Sequence, residues 1–445
     1  MITLIEALNY RCLKYIRQPL GPFHVLVGPN ASGKSTFLDV MAFLGTLVAK
    51  GLDAAIAERV CNGEEERSQH AFLDLVWRRP WEDSRPEGHW PRMGFAIESP
   101  VPAEYCTREP YVELGTVRYE VLLDCLPPPH SPRISWEYLY LTGCRTTEAN
   151  GPAHCPRDDG RGGDRLPNSV FLGSYPDTHW RRVIGREYSG ATHFEAETAR
   201  NGTVGSSAGF FRIDDNFSAL GALPPDQEQF PAATWLKRLL VREVSYIMLD
   251  LKALRAPSSR RGKRLQPDGS STPWLLKDLL ESAEGKQAYD SWLRHLQTVI
   301  PDLVGVKTVH RPEDNQQYLK LEYGNGLEVP SWIANDGALR LIALTLLTYL
   351  PGLDEIYLIE EPENGIHPRA IEAVYQSLSS IYDGQVLVTT HSPLLVGLAE
   401  PQTLLCFSKT PEGATSIVSG DRHPRLREWR REVDLGTLFA GGVLG

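Results

Sequence analysis

The chain has no basic excess, no long apolar run and no closely paired cysteines, and each absence narrows what it can do. Lys and Arg number 46 against 56 Asp and Glu, so the average charge of −10 disfavours nucleic acid and leaves only a local basic face to attract it. The apolar stretch at residues 339–350 is broken by Arg340, Thr345 and Thr348 and falls short of the ~20 residues a spanning helix needs. The first ten residues carry Glu6 and lack the basic start and apolar core of a secretory signal, so a cytoplasmic protein without membrane attachment is expected. The seven cysteines, Cys12, Cys61, Cys106, Cys125, Cys144, Cys155 and Cys406, include no Cys-x-x-Cys, and His154 beside Cys155 does not have zinc-ligand spacing. Reduced thiols are expected. No internal repeat is evident. What remains is ordinary globular usage, 42% hydrophobic and 23% charged, which excludes a disordered, collagen-like or wholly coiled-coil chain. The 445 residues suffice for several domains or for one large domain with inserts.

Residues 2–8 are apolar-rich, and residues 23–27 form a short continuous apolar run of the kind buried in a sheet. A Gly-rich loop follows, and from Lys34 onward Phe37, Leu38, Met41, Leu44 and Val48 recur at helical spacing. Residues 71–77, 118–123 and 134–141 read as short strands separated by Pro-rich segments such as 127–129, which predicts an antiparallel lobe. Residues 145–168 read as a polar loop. Helical spacing returns over 231–300, with Trp235, Leu236, Leu239, Leu240, Val244 and Ile247 in one stretch and 274–300 in another. The prolines and glycines of 257–273 exclude a continuous heptad arm. Beyond Pro351 come a strand at 356–359, a helix at 369–378 and a strand at 386–388, the order of a right-handed parallel crossover. The two ends of the chain are expected to build one parallel sheet, with the middle inserted.

Between the strand at 23–27 and the helix lies Gly28-Pro29-Asn30-Ala31-Ser32-Gly33-Lys34-Ser35-Thr36, a match to G-x-x-x-x-G-K-[ST]. Successive backbone N–H groups of such a loop wrap a phosphate chain, and the helix N-terminus adds positive charge. Gly28 and Gly33 remove side chains where backbone and phosphate meet, Lys34 reaches the β- and γ-phosphates, and the Ser35 hydroxyl binds Mg²⁺. The expected cofactors are therefore ATP and Mg²⁺. Residues 356–368, Ile-Tyr-Leu-Ile-Glu-Glu-Pro-Glu-Asn-Gly-Ile-His-Pro, end an apolar strand in adjacent carboxylates, Glu360 and Glu361. Because neighbouring strand residues point opposite ways, one can hold hydrated Mg²⁺ while the other polarises the attacking water.

Two further segments keep the same order: Ser331-Trp332-Ile333-Ala334-Asn335-Asp336-Gly337-Ala338-Leu339-Arg340, opening a helix before the carboxylate strand, and Val388-Thr389-Thr390-His391-Ser392-Pro393 after it. With these four segments the chain resembles ATP-binding-cassette type ATPases of the RecF/SMC class, and among them the stand-alone bacterial AAA-type ATPases found in phage-defence systems. The resemblance implies an α/β fold, a P-loop NTPase with an ABC-type ATPase head, an antiparallel β lobe and a helical insert. Residues 1–60 would form the N-terminal part of the head, 61–230 the β lobe and loops, 231–300 the helical subdomain and 301–445 the C-terminal part of the head. It also implies that two copies pair head-to-tail, each ATP lying between the phosphate loop of one and Asn335, Asp336 and Gly337 of the other. Asn335 or Asp336 can cap the signature helix, and Gly337 permits close backbone approach. Carried over, Glu360 supports Mg²⁺, Glu361 is the general base and His391 senses the γ-phosphate. Asn364 and Gly365 would lie in the loop linking the two sites, and Tyr10, Arg11 and Tyr15 near adenine. Asn335 stands where the family often has serine, Ala338 replaces a hydroxyl or Glu, and Gln227 is a weak match to the glutamine beside Mg²⁺. Slow or partner-dependent hydrolysis is therefore expected.

The leading functional expectation is a Mg²⁺-dependent ATPase, a homodimer or higher homo-oligomer. It would act as an ATP-driven clamp or switch controlling a separately encoded effector, such as a nuclease or toxin, in antiphage defence. About fifty residues follow His391, little room for a fused nuclease, and residues 434–445 read as a docking tail. One alternative is a RecF-type recombination or repair clamp, in which Arg260, Arg261, Lys263 and Arg264, or Arg425, Arg427, Arg430 and Arg431, meet nucleic-acid phosphates. Another is a non-hydrolysing scaffold held together by bound ATP. Asp158, Asp159, Asp214 and Asp215 read as ordinary loop or cap carboxylates rather than a nuclease site.

Overall fold

The structure, a computed structural model, describes residues 1–60, 68–77, 91–109, 112–125, 131–142, 180–187, 191–197, 207–259, 261–352, 355–426 and 433–444. The chain forms two compact units, the first of Met1–Leu20, Thr36–Glu243 and Lys409–Ser416, the second of Gly21–Ser35, Val244–Ser408 and Ile417–Gly445.

An eight-stranded sheet organises the first unit, in the spatial order Ser207–Arg212, Ala191–Glu195, Trp180–Arg186, Pro132–Thr142, Thr116–Cys125, Arg92–Pro100, Leu4–Tyr10 and Leu13–Pro19. Every neighbouring pair is antiparallel. One face is apolar, where Phe95, Val121, Tyr119 and Leu139 meet in register and are buried. The helix Lys34–Lys50 buries Phe37, Leu38, Met41, Leu44 and Val48 in the same unit. Rings of Tyr10, Phe43 and Phe95 lie 5.1 to 5.6 Å apart, at angles suited to aromatic contact.

The second unit is built on a sheet ordered Val244–Ile247, Ile356–Glu360, Gln385–Thr389, Phe23–Val27, Leu404–Lys409 and Thr415–Ser419, whose first five strands are parallel. Its central strands are almost continuously apolar and buried, as strands covered on both faces must be. The crossover helix Pro368–Ser379 opens with a proline and with His367 accepting from the Arg369 N–H at 3.2 Å. Helices Thr272–Leu280, Ala283–Gln297 and Asp336–Leu346 and the antiparallel strands Leu303–Arg311, Gln316–Tyr323 and Glu328–Pro330 also belong to the unit. Trp292, fully buried, donates its indole N–H to Thr345 at 2.9 Å.

The expected parallel sheet joining the chain's two ends is present, as is the antiparallel lobe. Several local expectations fail. Residues 71–77, read as a strand, lie largely in the helix Ser68–Leu75, which buries Ala71, Phe72 and Leu75 at helical spacing. Val244 and Ile247 continue no helix but form a strand beside the carboxylate strand. The stretch 274–300 is two helices, the second starting where Ser282 accepts from the Gly285 N–H. The tail forms the helix Leu435–Ala440, and Leu444 is buried within the second unit's own core. Segments 127–129 and 145–168 lie outside the described residues. Among the described residues no helix is long and apolar enough to cross a membrane.

Candidate nucleotide site

Parallel register brings the separate motifs to one sheet edge. Glu360 is level with Thr389, and Thr389 with Leu26, so the carboxylate strand and the phosphate-loop strand are two strand spacings apart, roughly 10 Å. Ligands of open α/β sheets bind at this carboxyl end. Gly28 follows the strand directly, and a Cβ there would lie 2.2 Å from the Phe407 carbonyl oxygen, so only glycine fits. Ala31 at φ +59° and Gly33 at φ +104° turn the loop into the helix. Asn30, Ala31 and Ser35 are exposed, whereas Ser32, Gly33 and Lys34 are buried. Thr36 belongs to the first unit, where the Cys12 thiol approaches its hydroxyl at 3.5 Å.

The Lys34 ammonium donates to the carbonyls of Gly28 at 2.8 Å and Pro29 at 3.1 Å. Burial pulls it below the usual lysine range, while the charges of Glu361 and Glu360 pull it back up. The helix that Lys34 opens has no acidic residue in its first turn. A buried ammonium, a helix N-terminus free of acid, an exposed hydroxyl at Ser35 and paired carboxylates form a donor set suited to a magnesium-bound triphosphate.

Glu360 accepts from the Tyr246 hydroxyl at 2.7 Å. Glu361 sits at φ +44°, its N–H donating to the Thr389 carbonyl at 2.9 Å and its carboxylate accepting from the Asn364 amide at 2.6 Å. His391 Nε2 lies 3.6 Å from Glu361 Oε1. Glu363 fixes the histidine's loop: one carboxylate oxygen accepts from the Thr390 hydroxyl at 2.6 Å and from the N–H groups of His391 and Ser392 at 2.9 and 3.1 Å. Sequence reasoning passed over Glu363, although a third carboxylate so close to the first two was a usable signal.

Of the two possible caps on the signature helix, Asn335 is the one used, accepting from the N–H groups of Gly337 at 2.9 Å and Ala338 at 3.3 Å. Asp336 instead pairs with Arg255. Gly337 approaches the loop after the carboxylates, since a Cβ there would lie 2.9 Å from the Gly365 carbonyl oxygen.

Other expected contacts are engaged elsewhere. Tyr10 is fully buried with its hydroxyl on Asp39, so it has no face for adenine, and the Tyr15 hydroxyl donates to Glu6 at 3.1 Å. Arg11 is half-exposed, 3.4 Å from Asp39. Gln227 lies on an exposed turn of the first unit. In the basic loop Arg264 pairs with Glu355 at 2.6 Å and Arg261 lies over the Trp274 ring, while Lys263 is exposed. Arg425 is exposed, its guanidinium 3.4 Å from the carbonyls of Gly442 and Val443. Asp214 accepts from the Asn216 N–H and Asp215 pairs with Arg186, both local roles. Among the described residues Cys12, Cys106, Cys125 and Cys406 form no disulfide, and burial pushes the Cys406 thiol up to about 12. Arg260, Arg427, Arg430, Arg431, Asp158, Asp159, His154, Cys61, Cys144 and Cys155 lie outside the described residues.

Residues 225–397 match the family model described as "AAA domain, putative AbiEii toxin, Type IV TA system". Protein ea59 of Escherichia phage lambda is 22% identical over 278 residues, which cover 52% of this chain and 49% of that protein. The chain thus spans about half the length of that curated relative. Among solved structures, an SMC head bound to the C-terminal winged-helix domain of ScpA is 12% identical with a TM-score of 0.50, covering 94% of this chain and 96% of that one. An SMC head from Pyrococcus furiosus, bound to the C-terminal domain of ScpA, is 11% identical with a TM-score of 0.48, covering 94% and 95%.

The fold is that of a P-loop NTPase, α/β with mixed sheets and helices. Its fold is similar to that of an SMC head, and the described residues hold an eight-stranded antiparallel sheet and a six-stranded, mainly parallel one.

Proposed function

We propose that the chain is a Mg²⁺-dependent ATPase working as an ATP-driven dimerising clamp or switch. The observation that carries this reading is the register that brings the strand before the phosphate loop and the strand ending in Glu360 to the same carboxyl edge of one parallel sheet. In it, Gly28, Asn30, Ala31, Ser32, Gly33, Lys34, Ser35 and Thr36 cradle the triphosphate through backbone N–H groups, the lysine ammonium and the helix terminus. Ser35 and Glu360 hold the metal. Magnesium, when bound, supplies Lewis-acid polarisation of the phosphate oxygens. Glu361 takes the proton of the attacking water, with Asn364 orienting its carboxylate. His391, anchored through Glu363, senses the terminal phosphate. Asn335, Asp336 and Gly337 complete the ATP site of a second copy, which makes ATP the joint between two protomers.

The family description's toxin–antitoxin context supports a role in antiphage defence, exercised through a separately encoded nuclease or toxin. One variant tests both levels. Glu361→Gln should lower Mg²⁺-dependent phosphate release by about 10²- to 10⁴-fold while retaining ATP, and in that ATP-held state it should recover a different set of co-expressed neighbours than the nucleotide-free protein does. Unchanged turnover removes Glu361 as the base, and identical recovery in both states removes effector control.

A further inference from the structure

Between the second unit's edge strand and its signature helix runs a short segment anchored at both ends to the proposed machinery. Tyr246 pairs with Leu358 in the parallel register, so two-residue periodicity sets its side chain on the same face as Glu360. Its hydroxyl donates to Glu360 Oε1 at 2.7 Å. The chain then turns at Asp250, whose carboxylate accepts from the Lys252 N–H at 3.0 Å and caps the five-residue helix Leu251–Arg255. That helix ends in Arg255. Its guanidinium donates to the carbonyls of Trp332 at 3.0 Å and Ala334 at 3.1 Å and forks onto the Asp336 carboxylate, while the Ser331 hydroxyl donates back to the Arg255 carbonyl at 2.9 Å. One arginine thus grips residues 331–336 from end to end.

The Arg255–Asp336 pair is more than a third exposed on each side, where an isolated ion pair contributes little. The fork matters for geometry. It holds the turn before the signature helix in one shape, and by occupying Asp336 it leaves Asn335 to cap.

We infer that residues 244–255 form a strap whose two ends serve two different ATP sites, Tyr246 positioning the metal carboxylate of its own protomer and Arg255 positioning the signature segment offered to a second copy. The inference rests on the shared-site reading above. Tyr246 and Arg255 are separated by eight residues of the chain, so one short segment serves the two sites at its separate ends. Neither Tyr246 nor Arg255 touches the reacting atoms; both are positioning residues.

Mixing experiments separate the two ends. Arg255→Gln and Tyr246→Phe should each lose about tenfold or more of phosphate release. Each is then mixed in equal amounts with Lys34→Ala, whose own phosphate loop is disabled but whose signature segment is intact. Mixed dimers of Arg255→Gln with Lys34→Ala contain one site with both halves sound, so on the order of a quarter of wild-type activity should return. Mixtures with Tyr246→Phe should stay low, because that defect remains in the only sound loop, and its Mg²⁺ requirement should rise. Asp336→Asn must follow the Arg255→Gln pattern, and retained binding of a fluorescent ATP analogue by both excludes misfolding. Gly337→Asp mixed with Lys34→Ala is the control. Recovery there without recovery for Arg255→Gln overturns the strap alone; recovery in neither overturns the shared-site reading and the strap with it. Recovery with Tyr246→Phe also overturns the assignment.

Discussion

Glu361 and Glu363 lie one proline apart, yet one was readable and the other was not. Glu360 and Glu361 stood out because adjacent carboxylates at the end of an apolar strand are a local pattern. Glu363, Tyr246 and Arg255 take their meaning from partners 27 to 114 residues away, which no local pattern encodes. The left-handed backbone of Glu361, at φ +44°, is a conformation that costs a non-glycine residue about 1–3 kcal/mol and is typically kept where a side chain must be aimed. A residue of the first unit carries a pH signature. Burial pushes the Glu197 carboxyl from 4.5 up to about 7, against the pull of the Ala233 and Ala232 N–H groups and the Arg181 charge. A raised carboxyl binds its proton more tightly folded than unfolded, so its contribution is complete below about 4.5 and is lost as pH rises through about 7. Glu197→Gln does not titrate, and its melting temperature should gain on the wild type between about pH 5 and 8, by up to about 3 kcal/mol of stability. Melting curves that keep a constant offset across that range contradict this.

Elements were legible where periodicity was unambiguous and spacing had one reading. Strands Phe23–Val27, Ile356–Glu360 and Gln385–Thr389 are short apolar runs that only a covered sheet accommodates, and the helices following the first two bury one clear stripe. Val244 and Ile247 extended a helical spacing by coincidence; pairing with Ile356 and Ile359 in the sheet decided them, a tertiary effect. Leu13–Pro19 was missed because its apolar positions are few and its partner strand supplies the register. The signature helix shows how much one side chain can contribute to an element. Asn335 satisfies two N–H groups at its start, so Asn335→Ala should cost about 1 kcal/mol. Chemical denaturation checks this, and Asn335→Ser, which keeps a cap, should lose less; equal losses would assign the effect to something other than capping.

On the scale of the whole molecule, the parallel sheet is closed by strands from residues 23–27, 244–247 and 356–409, and the expectation that the chain's ends meet was the most useful thing the sequence offered. It was readable because a phosphate loop and a carboxylate strand each need a parallel sheet, and economy of folding gives them the same one. What the second copy does was not readable from composition, since a net charge of −10 says nothing about which faces meet. The account's central claim is that ATP joins two chains across that sheet edge. Light scattering of Glu361→Gln with ATP and Mg²⁺ tests it most directly: the account predicts a species of twice the 49.7 kDa chain mass that reverts on adding EDTA. A mass that is the same with and without nucleotide, while ATP is demonstrably bound, contradicts it.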